Sequence, residues 1–450
     1  MSDARPSGGG EVLAVRRSGP LRGVCRVLGD KSVSHRALLF GALSDGVVDI
    51  AGLGQGGDNL STARALQALG VGIQLDGERA SVAGVGLRGL RAAARPLDCG
   101  NSGTSIRLLT GLLAGQPFET VLEGDSSLAR RPMRRLAEPL RLMGATIEGR
   151  VDPARSSDVF PPLRVRGGAL RGITYALPVA SAQLKSALVL AGLQAAGRTN
   201  ITEPAQSRDH TERMLRFLGA PVAAEPQANR IVVDPDGWDG RLRALPITVP
   251  GDFSSATFLM VAALIVPGSD VVIENVGTNP TRTGALDVLR AMGGDIEVTP
   301  AGEAMGEPVA RIRVRATRLR GTRVDGTLAL RSIDEIPALA IAAAAADGAT
   351  VFADLEELRV KESDRIRALA RELGRAGVAV TEQRDGLAIT GGAGRDVRGG
   401  TVEPEGDHRI AMSGAILGLL SDNETRVEAR EIATSFPTFA STLRALGAAL

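Results

Sequence analysis

The residue types that do acid–base and anion chemistry are scarce in this 450-residue chain, and they cluster. It holds three lysines, Lys31, Lys185 and Lys361, against 50 arginines, and three histidines, His35, His210 and His408. In a chain that uses arginine almost everywhere, a retained lysine marks a position needing a compact ammonium instead of a planar fork. For Lys185, chance retention is an equal reading. Six polar segments each open an apolar stretch: 30–36 (DKSVSHR), 101–107 (NSGTSIR), 181–185 (SAQLK), 251–255 (GDFSS), 334–337 (DEIP) and 406–409 (GDHR). Their Ser, Thr, Asn and Asp residues are helix-capping types, and capping alone accounts for any one segment. Cations in a first helical turn oppose the helix dipole, so Lys31, Arg36, Arg107 and Arg409 are out of place unless an anion shares the site. Helix N-termini with added Arg and Lys hold phosphates and carboxylates. Three further basic segments follow short β-type runs: Arg130-Arg131, Arg208-Asp209-His210 and the run 359–365 (RVKESDR). The last reads equally as a solvated helix face on which Lys361 and Arg365 lie four apart. Asp334, among apolar neighbours that imply burial, and Glu362, beside Lys361, are the carboxylates placed to divide base and acid work.

A repeat supplies the elements that would bring these segments together. An apolar residue, a glycine and a β-type run recur with glycine at 70, 144, 219, 293, 377 and 447, a period of about 75 residues. The spacing before these glycines is helical, as in Leu136, Leu140 and Met143, and glycine is the expected C-cap. Between them a second phrase occurs six times: a helix apolar around most of its circumference, a turn and a short strand. Its copies cover 37–50, 106–122, 184–201, 256–273, 336–352 and 410–427. Each unit reads βαβαββ, an α/β class. Three units closing around three buried helices make a domain, and the chain holds two, with a boundary near 245–250. Buried helices running parallel would bring their N-termini to one interdomain cleft. That cleft should take a small, multiply anionic ligand, and like charges facing one another there would make closure depend on it.

Composition excludes other classes. A formal charge of +2, with 23% charged and 44% hydrophobic residues, is globular and lacks the basic excess of a nucleic-acid coat. Only 2% of residues are aromatic, too few for base-stacking platforms, so nucleic acid is not an expected partner. The longest apolar runs fall short of the roughly 18 residues a membrane span needs. Residues 1–10 carry no apolar leader and read as unordered, so a cytoplasmic location without a membrane partner is expected. Cys25 and Cys99 are too few for a disulfide framework or a zinc site, and no Walker phosphate loop or dinucleotide fingerprint is present. No metal and no cofactor are expected.

The strings KSVSHR, GNSGTSIR, ASAQLKSA, RDHTER, RVKESDRIR and GDHRIAMS, in this order from Lys31 to about Pro437, closely resemble those of the EPSP synthases, the 3-phosphoshikimate 1-carboxyvinyltransferases. The resemblance implies a two-domain, enolpyruvyl transferase-like fold of six βαβαββ units, three per domain. Residues 30–248 would form the first domain, and 1–29 with 249–450 the second, which the strand at 11–17 would join. It implies a monomeric enzyme in which the 5-hydroxyl of shikimate 3-phosphate attacks C2 of phosphoenolpyruvate while C3 is protonated. The adduct then loses phosphate by C–O cleavage. Phosphoshikimate would lie on Lys31, Ser32, Arg36, Ser181, Gln183, Arg208, Asp334 and Lys361. Phosphoenolpyruvate would lie on Lys31, Gly103 (through its backbone), Arg131, Gln183, Arg365 and Arg409. Asp334 would take the hydroxyl proton and Glu362 would protonate C3, with Lys31 completing the catalytic set.

The chain also departs from the commonest family pattern. Thr434 stands where many members carry a lysine before the Phe-Pro pair, here Phe436-Pro437. A tyrosine that contacts the shikimate ring in many members is missing near Pro204, where Arg208 would do related work. Both features, with ASAQLKS, resemble the subgroup that includes glyphosate-insensitive enzymes. That subgroup has alanine where Gly103 stands, so glyphosate is expected to inhibit in competition with phosphoenolpyruvate. The sister transferase acting on UDP-N-acetylglucosamine would carry a loop cysteine near Ser126 and Ser127, where this chain has none. A non-catalytic anion or RNA binder on the same scaffold is the remaining alternative.

Overall fold

Six helices are apolar on nearly every side, and burying them organises the rest of the chain. In the computed structural model, which describes residues 12–152, 155–392 and 397–450, they span Lys31–Leu43, Gly103–Leu113, Ala182–Gly192, Phe253–Ile265, Ile336–Ala345 and His408–Gly418. Residues 1–10, expected to be unordered, lie outside the described residues. All thirteen residues of Phe253–Ile265 are buried. The side chains of Asp30, Ser102, Ser181, Asp252 and Asp407 accept backbone N–H bonds from the first turns of five of the helices. Each such cap contributes about 1 kcal/mol. The fifth helix differs: Glu335 makes no capping bond, and Pro337 occupies the first turn, where its missing N–H would have been unpaired anyway.

The second unit shows the pattern that the others repeat. Leu97–Asp98 leads into the buried helix Gly103–Leu113, then strand Glu119–Glu123, outer helix Arg134–Met143, and the hairpin of Thr146–Asp152 with Arg155–Arg166. The leading strand pairs parallel with the strand after the helix, and the hairpin adds two antiparallel strands. Five four-stranded sheets of this order occur among the described residues. Glycines 70, 144, 219, 293, 377 and 447 close the outer helices with φ between 85° and 115°, the left-handed cap that the repeat implied. The sixth unit departs from the expected βαβαββ. Its outer helix Phe439–Ala445 is followed by no hairpin, and the strand Val12–Val15 pairs antiparallel with Thr425–Glu428 in the hairpin's place.

Two leading strands are exchanged between halves of the chain. Arg22–Arg26, which precedes the first buried helix, pairs with Asp270–Gly277; Ile247–Thr248, which precedes the fourth, pairs with Val47–Ala51. The two connections therefore cross, joined by Asp30 N–H to Pro250 O (2.8 Å) and Asp252 N–H to Leu28 O (2.8 Å). Glycine is required there: a Cβ on Gly29 would stand 1.7 Å from the Gly52 carbonyl oxygen. One hydrophobic core gathers residues between Val33 and Val249, and a second gathers Leu13–Val27 and residues from Phe253 to Ala448. Met305, at a hairpin tip of the later half, is the one residue of that half packed into the earlier core.

Candidate active site

All six buried helices present their N-termini to one cavity of about 580 Å³. Lys31 and Ser32, Gly103 and Thr104, Ser181 and Gln183, Asp252 and Ser254, Asp334, and Arg409 reach it from the six starts in turn. Every residue that the resemblance assigned to substrate lines this cavity, because Arg131, Arg208, Lys361, Glu362 and Arg365 arrive on loops after the central strands; Lys185, His35 and His408 do not line it. Eleven arginine and lysine side chains and seven carboxylates line it, a surplus of positive charge that suits a multiply charged anion.

The cations divide into paired and unpaired sets. Arg208 Nη1 lies 2.7 Å from Asp334 Oδ2, and Arg365 bridges Glu362 Oε2 (2.6 Å), Asp407 Oδ2 (2.7 Å) and Asp334 Oδ1 (3.4 Å). Lys31 Nζ donates to Asp58 Oδ2 at 3.0 Å. Arg409 donates from Nη1 to the Asp334 carbonyl (2.6 Å), and Arg131 from Nη2 to Asn101 Oδ1 (2.6 Å). Arg36, Arg107, Lys361 and Arg409 have no carboxylate ion-pair partner among the described residues. Arg36 is held by neutral oxygens of Ser32, Ser186 and Thr211, and Arg107 donates to Gln183 Oε1 at 2.8 Å. Burial draws both arginines down to about 10, which leaves them charged at neutral pH. These four are the charges an anion would neutralise.

The two carboxylates are both strongly perturbed. Burial pushes Asp334 up, but Arg208, Arg409, Lys361 and Arg365 outweigh it and hold the group well below the usual carboxylate range. Burial acts likewise on Glu362, where Arg365, Arg131, His408 and Lys31 hold it well below. Glu335, wholly buried and accepting from Ser254 Oγ, is instead raised, chiefly by burial.

The charge run 359–365 does not form the solvated helix face that its spacing allowed. A 3-10 turn, Glu356–Val360, ends before Lys361, and a new helix, Arg365–Arg375, begins under the Asp364 cap. Arg365 is 1% exposed, so the break turns the run into the cleft. Nor do only like charges face one another there: Arg208–Asp334, Arg131–Glu362 (3.9 Å) and Arg135–Glu357 (2.6 Å) join the two halves. Thr434 donates to its own Glu431 carbonyl (2.7 Å), and Ser435 lines the cavity in its place. The one tyrosine, Tyr175, lines the cavity from strand Thr174–Ala176. Neither cysteine does.

Asp58, Asp407 and Arg282 went unassigned from the sequence. Arg282 pairs with Asp252 (2.6 Å) and Asp30 (3.3 Å), the caps of the two crossing connections. Asp58 in an outer helix's first turn looks like an ordinary dipole partner, so nothing local marks it. Arg107 carried a signal, its cation in a first turn, without a ligand to attach to it.

No group of three or more His, Cys, Asp or Glu that could hold a metal occurs among the described residues, and no helix there is long and apolar enough to cross a membrane. Six helix starts meeting at one cation-rich cleft between two α/β halves define the enolpyruvyl transferase-like class of fold. Within that class the chain belongs to the EPSP synthase family, whose model, EPSP synthase (3-phosphoshikimate 1-carboxyvinyltransferase), matches residues 15–443. It is 51% identical over 439 residues to a 3-phosphoshikimate 1-carboxyvinyltransferase of Methylococcus capsulatus, covering 97% of each chain. A protein of the same name from Geobacter sulfurreducens is 52% identical over 424 residues, covering 94% of this chain and 96% of its own. The solved EPSP synthase of Acinetobacter baumannii superposes with a TM-score of 0.84 at 43% identity, over 97% of this chain and 98% of its own.

Proposed function

We propose that this chain transfers the enolpyruvyl group of phosphoenolpyruvate to the 5-hydroxyl of shikimate 3-phosphate, releasing phosphate by addition and elimination. The observation that carries the reading is the meeting of every residue the resemblance assigned on one cavity with surplus cations, where Asp334 and Glu362 are two of the seven carboxylates. Two phosphates and two carboxylates need many cations, while the chemistry needs one base and one acid.

Phosphoshikimate would engage Lys31, Ser32, Arg36, Ser181, Gln183, Arg208, Asp334 and Lys361. Its phosphate draws Arg208 and Lys361 away from Asp334, which weakens the field that holds that carboxylate ionised and readies it to accept the hydroxyl proton. Phosphoenolpyruvate would engage Lys31, the Gly103 backbone, Arg131, Gln183, Arg365 and Arg409. Its charges offset Arg365 and Arg131, two of the cations that hold Glu362 down, so Glu362 can carry the proton destined for C3. Substrate charge thus sets both proton-transfer groups.

The two hydrophobic cores support domains of 30–248 and of 1–29 with 249–450. We further propose a cytoplasmic monomer that binds neither nucleic acid nor membrane. Inhibition by glyphosate is proposed from Gly103, and a place in the subgroup with insensitive members from Thr434, ASAQLKS and the tyrosine missing near Pro204. The test is phosphate release, which should require both phosphoenolpyruvate and shikimate 3-phosphate. Release with UDP-N-acetylglucosamine in place of phosphoshikimate, or with neither acceptor, would overturn the reading.

A further inference from the structure

The segment that carries Arg208 is tied down by a charged cluster with no face on the cavity. Lys185 Nζ lies 2.9 Å from Glu203 Oε2 and 2.8 Å from Glu212 Oε1, and donates to the Ser207 carbonyl at 3.3 Å. All three charged side chains are 1% exposed. Glu203 also accepts from Ser207 Oγ and, at 3.4 Å, from Ser207 N–H. Ser207 immediately precedes Arg208, whose guanidinium is the one 2.7 Å from Asp334. Glu212 lies in the helix His210–Phe217 that follows, so strand end, loop and helix all meet on one ammonium.

Such a cluster is a costly way to gain stability. Two carboxylates share one buried cation, and Glu212 Oε2 has no hydrogen-bond partner among the described residues. Apolar side chains of similar volume commonly hold such an interior at least as well. Direction is what an ammonium adds: three N–H groups met by three acceptors from three elements leave the loop one arrangement. A planar guanidinium does not fit that geometry, which accounts for one of the chain's three lysines.

Resting on the phosphoshikimate reading above, we propose that Lys185, with Glu203 and Glu212, is a positioning centre that presets Arg208 for the phosphoshikimate anion. Lys185 touches no substrate and acts through Ser207 and Arg208. Presetting a cation removes the ordering cost that the ligand would otherwise meet.

The test compares Lys185→Met, Arg208→Ala and the double variant by steady-state kinetics, calorimetric binding of phosphoshikimate and thermal melts. Wild-type turnover comes first: its absence would overturn the proposed function and this inference together. With turnover present, Lys185→Met is expected to raise KM for phosphoshikimate by about tenfold, and to change kcat and KM for phosphoenolpyruvate by less than about threefold. In the Arg208→Ala background the same change should add less than about twofold, because the residue it acts through is gone. Equal effects on both substrates, or the full factor in the Arg208→Ala background, would overturn the positioning role while leaving the function standing. Should Lys185→Met not fold, Ser207→Ala, which cuts only the hydroxyl tie to Glu203, decides by the same cycle at about threefold.

Discussion

Arg208, Arg409, Lys361 and Arg365 hold Asp334 well below the usual carboxylate range against its burial, so the proton acceptance proposed for it would wait on what those cations do next. Asp334→Asn keeps the shape and one hydrogen bond but removes the base. It is expected to bind phosphoshikimate and to lose about 10²–10⁴ in kcat; full turnover in steady-state assays would remove the assigned role. Lys361 is half-buried without a carboxylate partner, and burial draws it below its ordinary value despite the pull of Asp334. Lys361→Arg keeps the charge but brings a larger, planar group into that space, so kcat/KM should fall by about tenfold or more. Gly103 shows where a single methyl would matter. Its Cβ would stand 2.6 Å from Arg107 Nη1 and 2.9 Å from Arg131 Nη1, two guanidinium tips on the cavity. Those tips can swing aside, so Gly103→Ala should fold, but the space they enter is ligand space. The inhibition constant for glyphosate, the longer molecule, is expected to rise by about tenfold or more, and KM for phosphoenolpyruvate by less. Equal changes in the two constants would refute the steric account.

Five of the six buried helices begin under a side-chain cap, and one cap gives a pH signature. Asp30 closes the first helix through the Val33 N–H (2.9 Å) and sits 3.3 Å from Arg282. Burial pushes its carboxyl up, but Arg282, His210 and the Val33 hydrogen bond outweigh that and bring it from 3.8 to about 2. A carboxyl lowered in the folded state contributes stability that is complete above its unfolded value and is lost as pH falls through its folded value. The contribution is roughly 2 kcal/mol, present above about pH 4 and gone below about pH 2. Asp30→Asn should therefore be less stable than the parent at pH 6, with the gap closing as pH falls from about 4 to 2. Denaturant melts across that range would measure it, and a gap independent of pH would assign the loss to the cap geometry alone. The caps and outer-helix glycines were legible because capping and left-handed turns are local demands on residue type. The exchanged strands were legible only through the domain bounds that the resemblance implied, since Arg22–Arg26 and Ile247–Thr248 carry no local sign of which sheet they will join.

At the scale of the molecule the two halves meet where the chain crosses, where Met305 inserts, where Asp209 and His210 bond Asn279 and Glu307, and across the cleft. Arg208–Asp334 and Arg135–Glu357 already bridge that cleft, so closure rests on opposite charges as well as on any bound anion. On the proposed reading, phosphoshikimate would exchange the first of these pairs for a multiply charged ligand that binds both walls. Small-angle scattering is expected to show the radius of gyration contract on its addition toward about 22 Å, the size of a compact chain of this length. An unchanged profile would mean that the ion pairs alone hold the halves together.

What the sequence determined by itself was everything governed by neighbours along the chain. The 75-residue period, the apolar helices, their caps and the misplaced cations all follow from local sterics and dipoles, and they pointed Lys31, Asp334 and Arg409 to one site while leaving Lys361 between that site and a solvated helix face. Tertiary structure alone decided which charges are paired. Asp58 beside Lys31, Asp407 beside Arg365, and Lys185 between Glu203 and Glu212 are contacts between residues 18 to 42 apart in sequence. It also turned the run 359–365 inward and chose Thr425–Glu428 as the partner of the N-terminal strand, whose place in the second domain the resemblance had implied. The physical reason is range. Hydrogen-bonded turns and helix periods act over a few residues, whereas the Coulomb partner of a buried charge is whichever group the packing brings within a few ångströms.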